Sequence, residues 1–259
     1  MVNTDFDHIA HQYDNDFSNT LIGKAQRNLV WNILKNNIKT FKGLDVLEIN
    51  CGTGIDAEML ASEGANILAT DISSEMINVT KDLISKYTNA STQVLDIRNI
   101  HELNTTYDLV FSNFGGLNCL NEQDLLTFVN QSHELLKPNG NLVLVIMPKY
   151  TIWESLYFLA KLSPRKAVRR WTKKEVMANV EGRSVATYYH NPNIFNQLNN
   201  YAILSVSPVG LFIPPSYLEN RFRNRPKKIE KYFQKDLSKT GKKNWAKFAD
   251  HYCIVLNKK

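Results

Sequence analysis

The fold is decided by the stretch Val46-Leu47-Glu48-Ile49-Asn50-Cys51-Gly52-Thr53-Gly54. Its apolar first half is typical of a buried strand, and its second half is typical of a tight turn. Glycines at positions 52 and 54 leave room for a ligand close to the backbone, and the helix expected after them begins with unpaired N–H groups. The stretch therefore predicts a strand, a ligand-binding turn and a helix in succession.

The alternation of strand and helix continues after this stretch. Separated by helical segments, the expected strands cover residues 44–49, 66–70, 93–95, 107–112 and 141–147. Strands that alternate with helices at this spacing predict a parallel sheet with right-handed crossovers and helices on both faces. The predicted fold class is α/β, with a Rossmann-like, mostly parallel, seven-stranded sheet and an antiparallel closing strand at 250–256.

Composition excludes several classes of protein. No apolar run approaches the roughly 20 residues that a membrane span requires, and Asp5, Asp7 and Asp14 occupy the region where a secretory signal carries positive charge. The three cysteines are widely spaced and form no CxxC pair, so they indicate neither a disulfide framework nor a zinc site. We therefore expect a cytoplasmic protein that spans no membrane and holds no metal.

Charge is distributed unevenly along the chain, although the net charge is only +6. Residues 1–148 carry 9 Lys and Arg against 18 Asp and Glu, a net charge of −9, whereas residues 149–259 carry 22 against 7, a net charge of +15. The basic part is suited to an acidic carrier protein, an anionic surface or RNA phosphates, although a solvated face is the commoner explanation. Nucleic acid is disfavoured as a partner because the aromatic residues do not interleave with the later basic run.

Five residues lie at or just after the carboxyl ends of predicted strands, namely Glu48, Gly52, Asp71, Asp96 and Asn113. Ligands of open parallel sheets bind beyond that edge. Asp71 has the position from which a carboxylate accepts hydrogen bonds from both ribose hydroxyls, and Asp96 has the position for an adenine edge. A single strand-end carboxylate often only caps the next helix, so the prediction of a nucleoside site depends on the whole set.

The turn is compatible with two kinds of nucleoside cofactor. Gly52-x-Gly54-x-x-Ala57 fits the weak glycine fingerprint of nicotinamide and flavin dinucleotide sites. S-adenosylmethionine is favoured by the carboxylate of Glu48 at the strand end, by the absence of a second nucleotide-binding half, and by the predicted antiparallel strand. A NAD-dependent oxidoreductase remains the alternative.

The chain resembles class I S-adenosylmethionine-dependent methyltransferases of the ubiquinone- and menaquinone-biosynthesis type, the type 11/25 methyltransferases. The first motif of that family is matched by Glu48, Gly52 and Gly54, whereas Asn50 replaces the family's first glycine. Asparagine tolerates a left-handed backbone better than most residues that carry a side chain. Residues 135–140 resemble the family's landmark turn before the fifth strand. The resemblance further implies cofactor contacts from Tyr13, Asp71, Ile72, Met76, Asp96, Ile97, Asn113 and Phe114.

The resemblance covers nearly the whole chain and implies one domain over residues 1–259. Within it we expect N-terminal lid helices at 1–40, a cofactor-binding core at 41–148 and a helical substrate cap at 149–184. C-terminal strands are expected to complete the sheet within 185–259, near 185–189, 202–212 and 250–256.

The expected chemistry makes few demands on the protein. A sulfonium methyl group is already electrophilic, so the main task is to align the acceptor and exclude water. A base helps when the acceptor is a phenol, a hydroxyl or an amine, and His190 and His11 are the candidates. Aromatic residues of the expected cap suit a small apolar or aromatic acceptor, methylated on O, N or C: Tyr150, Trp153, Tyr157, Phe158 and Trp171. The product would be S-adenosylhomocysteine. A non-catalytic cofactor-binding module that docks an acidic partner is a second alternative.

Overall fold

The computed structural model describes residues 18–180 and 183–259. These residues form a seven-stranded sheet and a separate two-stranded hairpin. Within the described ranges, no helix combines the length and the apolar character needed to cross a membrane. The lid residues His11 and Tyr13 lie outside these ranges, and their roles stay predictions.

The first five strands alternate with helices, as the sequence predicts. Helix α1 spans Leu21–Asn37 and leads to strand β1, Asp45–Ile49. The chain then forms α2 (Ile55–Ser62), β2 (Asn66–Asp71), α3 (Ser74–Ile84), β3 (Ala90–Val94), β4 (Tyr107–Ser112), α4 (Glu122–Glu134) and β5 (Leu136–Ile146). Short 3-10 helices at Ile97–Glu102 and Gly116–Cys119 follow β3 and β4.

Beyond β5 the chain leaves the sheet and later returns to it. The remaining elements are α5 (Ile152–Ala160), α6 (Pro164–Ala167), β6 (Val176–Val180), β7 (Arg183–Thr187), β8 (Tyr201–Val209), α7 (Glu219–Phe222), α8 (Pro226–Leu237), α9 (Lys243–Ala246) and β9 (His251–Lys258). Further 3-10 helices lie at Pro192–Gln197 and Ser216–Leu218.

The strand order of the sheet is β3-β2-β1-β4-β5-β9-β8. Neighbouring strands from β3 to β5 are parallel, and β9 runs antiparallel to both β5 and β8. The predicted fold class, a mostly parallel sheet of seven strands with an antiparallel closing strand, is confirmed. Because β9 lies between β5 and β8, the last strand of the chain joins the two parts of the sheet.

Two hydrophobic layers cover the sheet, one on each face. One contains Val46 and Val145 together with buried residues of α1, α2, α3 and α8. The other contains Leu47 and Leu144 with buried residues of α4 and α9. Successive strand residues point to opposite faces, so Val46 of β1 joins one layer while Leu47 and Ile49 join the other.

The C-terminal half differs from the sequence prediction in three places. The strand predicted near 185–189 does not join the main sheet, because Arg183–Thr187 pairs with Val176–Val180 as a hairpin. The cap is therefore helical only in its first part. Strand β5 begins at Leu136 and runs through the predicted turn at 138–140. Helices α7 to α9, which lie between β8 and β9 in the sequence, were not predicted.

Candidate functional site

The turn after β1 is built from left-handed residues. Asn50, Gly52 and Gly54 have φ angles of 57°, 55° and 83°, which confirms that Asn50 adopts the left-handed backbone. A Cβ atom on Gly52 would meet nothing within 4 Å, so the space beside this residue is open. A Cβ atom on Gly54 would lie 2.6 Å from Cγ2 of Thr80, so only glycine fits between the turn and α3.

Glu48 is a buried carboxylate next to this turn. Its side chain is 1% exposed, and among the described residues its Oε2 atom has no hydrogen-bond partner. Burial raises the pKa of Glu48 well above its usual range, and the negative charge of Asp56 raises it further. Burying a carboxylate with one oxygen unbonded is costly, so this position is suited to a ligand that brings a positive charge or a hydrogen-bond donor.

Asp71 ends β2 and holds the turn in place. Its Oδ2 accepts a hydrogen bond from the backbone N of Gly52 at 3.0 Å, and its Oδ1 accepts one from the backbone N of Ser73 at 2.9 Å. An ionised carboxylate only accepts hydrogen bonds and offers about four acceptor positions, which is the chemistry that binds the two hydroxyls of a ribose. Of the apolar residues expected to flank the adenine, Ile72 is half-buried and Met76 is buried.

Asp96 is engaged by a neighbour in sequence. Its carboxylate accepts hydrogen bonds from Nε of Arg98 at 3.0 Å and from the backbone N of Arg98 at 2.9 Å. The hydrogen bonds from Arg98 lower the pKa of Asp96. Asp96 thus starts the 3-10 helix that contains half-buried Ile97, as a strand-end carboxylate commonly does.

Asn113 and Phe114 follow β4, and we call this pair the floor. Side-chain contacts link the floor to α1 and α2. Nδ2 of Asn113 donates to Oδ2 of Asp56 at 2.9 Å, and Oδ1 of Asn113 accepts from the backbone N of Phe114 at 3.0 Å. Asp56 also forms an ion pair with Arg27 and accepts a hydrogen bond from Nε1 of Trp31 at 2.6 Å. The Arg27 guanidinium lies 5.2 Å from the centre of the Phe114 ring. The sequence prediction did not include Arg27, Trp31 or Asp56.

His190, one of the two predicted bases, is buried and held by backbone groups. Its Nε2 lies 2.9 Å from the carbonyl oxygen of Leu120, and its backbone N donates to the carbonyl oxygen of Met147. Burial lowers the pKa of His190, so the ring is neutral near pH 7. Asn118, which was not predicted, fixes the same segment: its Oδ1 accepts from the backbone N of Met147, and its Nδ2 donates to the carbonyl oxygen of Tyr188.

A second histidine, His251, lies close to the floor. Its ring packs edge-to-face on Phe114, with centroids 5.5 Å apart. Its Nδ1 lies 3.4 Å from Oδ2 of Asp250, an ion-pair distance, and makes no hydrogen bond to any described residue. Gln26 donates to the same Oδ2 at 3.3 Å, and Nη2 of Arg170 lies 3.6 Å from Oδ1.

The sequence contained a signal that could have located Asp250 and His251 at the site. An antiparallel strand begins at the edge of the sheet where parallel strands end, and β9 begins at His251. Asp250 and His251 therefore belong to the edge that carries the predicted site.

The cap is attached to this edge by buried charges. Glu154 on α5 is 1% exposed and accepts hydrogen bonds from Nε of Arg169 at 2.5 Å and from Nε of Arg170 at 2.8 Å. The Arg170 guanidinium lies 4.7 Å from the centre of the Tyr189 ring. Cap aromatics also contact the C-terminal segment, as Tyr157 does with Tyr217 at 5.3 Å between centroids.

Residues 46–140 match the sequence profile of a family described as a methyltransferase domain. No curated protein sequence matches the chain. Among solved structures, a DhpI complex with SAH is 15% identical and covers 98% of this chain and 93% of that one, with a TM-score of 0.62. Magnesium protoporphyrin IX methyltransferase from Synechocystis, with bound SAH, is 15% identical, with coverages of 96% and 88% and a TM-score of 0.56. The N-methyltransferase NodS from Bradyrhizobium japonicum, in complex with S-adenosyl-L-homocysteine, is 14% identical, with coverages of 92% and 87% and a TM-score of 0.56.

At these identities the structural likeness establishes the fold, and the profile match establishes the kind of domain. Both agree with the motif around Glu48, and they favour a methyl transferase over a dinucleotide oxidoreductase. Residues 46–140 are therefore a methyltransferase domain, and the chain has the fold of the methyltransferases solved with S-adenosylhomocysteine.

Proposed function

We propose that the enzyme methylates a small apolar or aromatic molecule, and that the acceptor sits between the floor at Phe114 and the cap. The observation that carries the cofactor site is the buried Glu48, whose Oε2 has no hydrogen-bond partner among the described residues, beside the open side of Gly52. The methionine part of the cofactor carries an ammonium group, which would supply the missing donor and charge.

Bound S-adenosylmethionine supplies an electrophilic methyl group. Around it, Asp71 would hold the ribose, Asn50 and Gly54 would shape the turn, and Asn113 with Phe114 would line the floor. Ile72, Met76, Asp96 and Ile97 would surround the adenine, and Tyr13 would close the site from the lid. The protein's contribution is then alignment of the acceptor and exclusion of water.

The acceptor class is supported by the cap and by the similar structures. The aromatic side chains of Trp153 and Tyr157 are half-buried on α5, beside the buried charges that hold the cap. One similar structure is named for magnesium protoporphyrin IX, a large planar molecule. We propose a smaller or similarly flat apolar acceptor, methylated on O, N or C, with the cytoplasm as its place of action.

His251 is the proposed proton acceptor when the methylated atom is oxygen or nitrogen. Burial alone would raise the pKa of Asp250, but His251, Arg170 and Gln26 outweigh it and lower that pKa to about 2. The ionised Asp250 favours a proton on Nδ1 of His251, which leaves Nε2 as the acceptor of a substrate proton. His190 is the second candidate, but its Nε2 is already bound to the Leu120 carbonyl. His11 remains a third.

Two measurements test the proposal. Calorimetric titration should show binding of S-adenosylmethionine and S-adenosylhomocysteine and none of NAD. Mass spectrometry of a metabolite extract incubated with the enzyme and methyl-labelled cofactor should then reveal a labelled product. Binding of NAD alone would contradict the proposed site. Cofactor binding without any labelled product would favour a non-catalytic module.

A further inference from the structure

We propose that the cap docks the enzyme on an anionic lipid surface. The contact would be made by an apolar strip, defined as Ile152, Leu156 and Leu159 of α5 and Leu162 just after the helix, and by the basic residues that follow it. This inference concerns a surface that the methyl-transfer chemistry does not use.

The apolar strip is exposed to an unusual degree. Ile152, Leu156, Leu159 and Leu162 expose 39%, 59%, 51% and 91% of their surface. Positions 152, 156 and 159 are four and three residues apart, so they share one face of the helix. An unbroken row of exposed large side chains is typical of an interaction surface, whereas single exposed ones are ordinary.

The opposite face of α5 attaches the helix to the body of the protein. Glu154 is buried among arginines, Trp153 packs against Tyr232 with ring centroids 6.4 Å apart, and Tyr157 packs against Tyr217. The helix is therefore fixed with its apolar strip directed outward. The strip cannot turn inward without breaking these contacts.

Basic residues follow the strip in the sequence. Exposed cations follow it closely in the chain, at Lys161, Arg165, Lys166, Lys173 and Lys174. Glu175 is the only exposed acidic residue in the described range 149–180, since Glu154 is buried. An apolar helix face next to lysines and arginines is the pattern of helices that lie in the interface of an anionic bilayer.

A bilayer fits this surface better than an acidic carrier protein does. The strip consists of side chains that project outward, and Leu162 is almost fully exposed, so a protein partner would need a matching groove for them. A lipid interface accepts projecting apolar side chains without a preformed groove. Trp171 and Tyr150, whose rings touch at 5.5 Å between centroids, are also exposed and belong to the residue types that favour the interface.

Vesicle sedimentation of the full chain tests the proposal. We expect the protein to sediment with vesicles of phosphatidylcholine and phosphatidylglycerol but not with phosphatidylcholine alone. Binding should fall sharply between about 0.1 M and 1 M salt, because the Debye length shortens from about 10 Å to 3 Å. The double variant Leu156→Ser, Leu159→Ser and the double variant Arg165→Gln, Lys166→Gln should each lower binding at least tenfold.

Matched variants control for loss of apolar or basic residues elsewhere. Leu204→Ser removes a leucine that is 54% exposed on β8, and Arg223→Gln with Lys227→Gln removes two exposed cations of the α7 to α8 region. Both should bind vesicles like the wild type, and cofactor binding should be unchanged in all four variants, so failure of the methyltransferase assignment would be seen separately. Absence of binding to anionic vesicles, or equal loss in the control variants, would overturn the proposal. Binding to an added acidic carrier protein in place of the vesicles would assign the strip to a protein partner and would also overturn it.

Discussion

At Gly54, steric limits explain the residue type. Gly54 has a φ of 83°, which residues with a side chain rarely adopt. A Cβ atom at this position would also lie only 2.6 Å from the Thr80 side chain. Gly54→Ala should therefore lower the free energy of unfolding by about 2–4 kcal/mol, from backbone strain and overpacking together. Gly43→Ala is the matched control: its φ is 77° but nothing lies within 4 Å, so only about 1 kcal/mol is expected. Urea denaturation measures the free energy of unfolding of both variants. Equal losses would show that the Thr80 side chain moves aside to make room for the Cβ atom.

Asp71 has a structural task and a proposed binding task, which one substitution can separate. Asp71→Asn keeps the shape and one acceptor oxygen, but it loses one of the two backbone hydrogen bonds and the charge that strengthens hydrogen bonds to a ribose. We expect the dissociation constant for S-adenosylhomocysteine to rise about 10- to 100-fold, since hydrogen bonds to charged groups contribute about 1.5–3 kcal/mol. Calorimetric titration measures the dissociation constant. Thermal unfolding of the variant shows whether the turn after β1 is destabilised. Unchanged affinity would remove Asp71 from the site.

The two histidines at the sheet edge differ in what their ring nitrogens already bind. His251→Gln should lower the rate of methyl transfer about 100-fold or more at neutral pH, if the acceptor atom is oxygen or nitrogen, because a positioned base contributes about 10²–10⁴. Cofactor affinity should not change. Single-turnover assays with the labelled cofactor and the identified acceptor measure the rate. A larger loss in His190→Gln than in His251→Gln would transfer the role of the base to His190.

The sequence prediction succeeded where local pattern decides the structure. Glu48, the glycines and Asp71 lie within one strand–turn–helix–strand unit, so spacing alone brought them to one edge. The contact of Asp250 with Gln26 joins residues 224 positions apart, and no local pattern encodes it. The pairing of β6 with β7 and the positions of α7 to α9 likewise depend on tertiary packing, that is, on which apolar surfaces the other elements leave exposed.

At the scale of elements, strand β5 shows how a local signal is overridden. Pro138, Asn139 and Gly140 favour a turn, yet β5 starts at Leu136. Tyr107 pairs with Leu136, and the register then shifts before the next pair, so the turn residues are accommodated as an irregularity within the strand. Pairing with β4 on one side thus decides where the strand begins.

The attachment of α5 depends on one buried carboxylate. Glu154→Ala would leave the buried guanidinium of Arg170 with the longer contact to Asp250 and the ring of Tyr189. Removal of one partner from a buried ion pair costs about 3–5 kcal/mol, so we expect a loss of that size in unfolding free energy. Glu175→Ala, at an exposed position, should cost less than about 1 kcal/mol. Urea denaturation compares them, and similar small losses would show that the cap is held by its aromatic contacts instead.

At the scale of the whole molecule, Asp250 joins parts that are distant in sequence: Gln26 on α1, Arg170 of the cap and His251 on β9. Its pKa is lowered to about 2 in the folded protein, below the usual value of 3.8. A carboxyl group whose pKa is lower in the folded than in the unfolded protein stabilises the fold when the pH is above the unfolded pKa. That stabilisation is lost as the pH falls through the pKa of the folded protein.

The pH dependence of unfolding therefore reports on this junction. Between about pH 4 and pH 2, the wild type should lose about 2 kcal/mol more than Asp250→Asn, since one pKa unit corresponds to about 1.4 kcal/mol. The variant is expected to start less stable, so the comparison concerns the slope and not the absolute value. Urea denaturation at intervals of pH measures both curves. Parallel curves would mean that Asp250 titrates alike in the folded and unfolded chains, and that Gln26, Arg170 and His251 do not lower its pKa together.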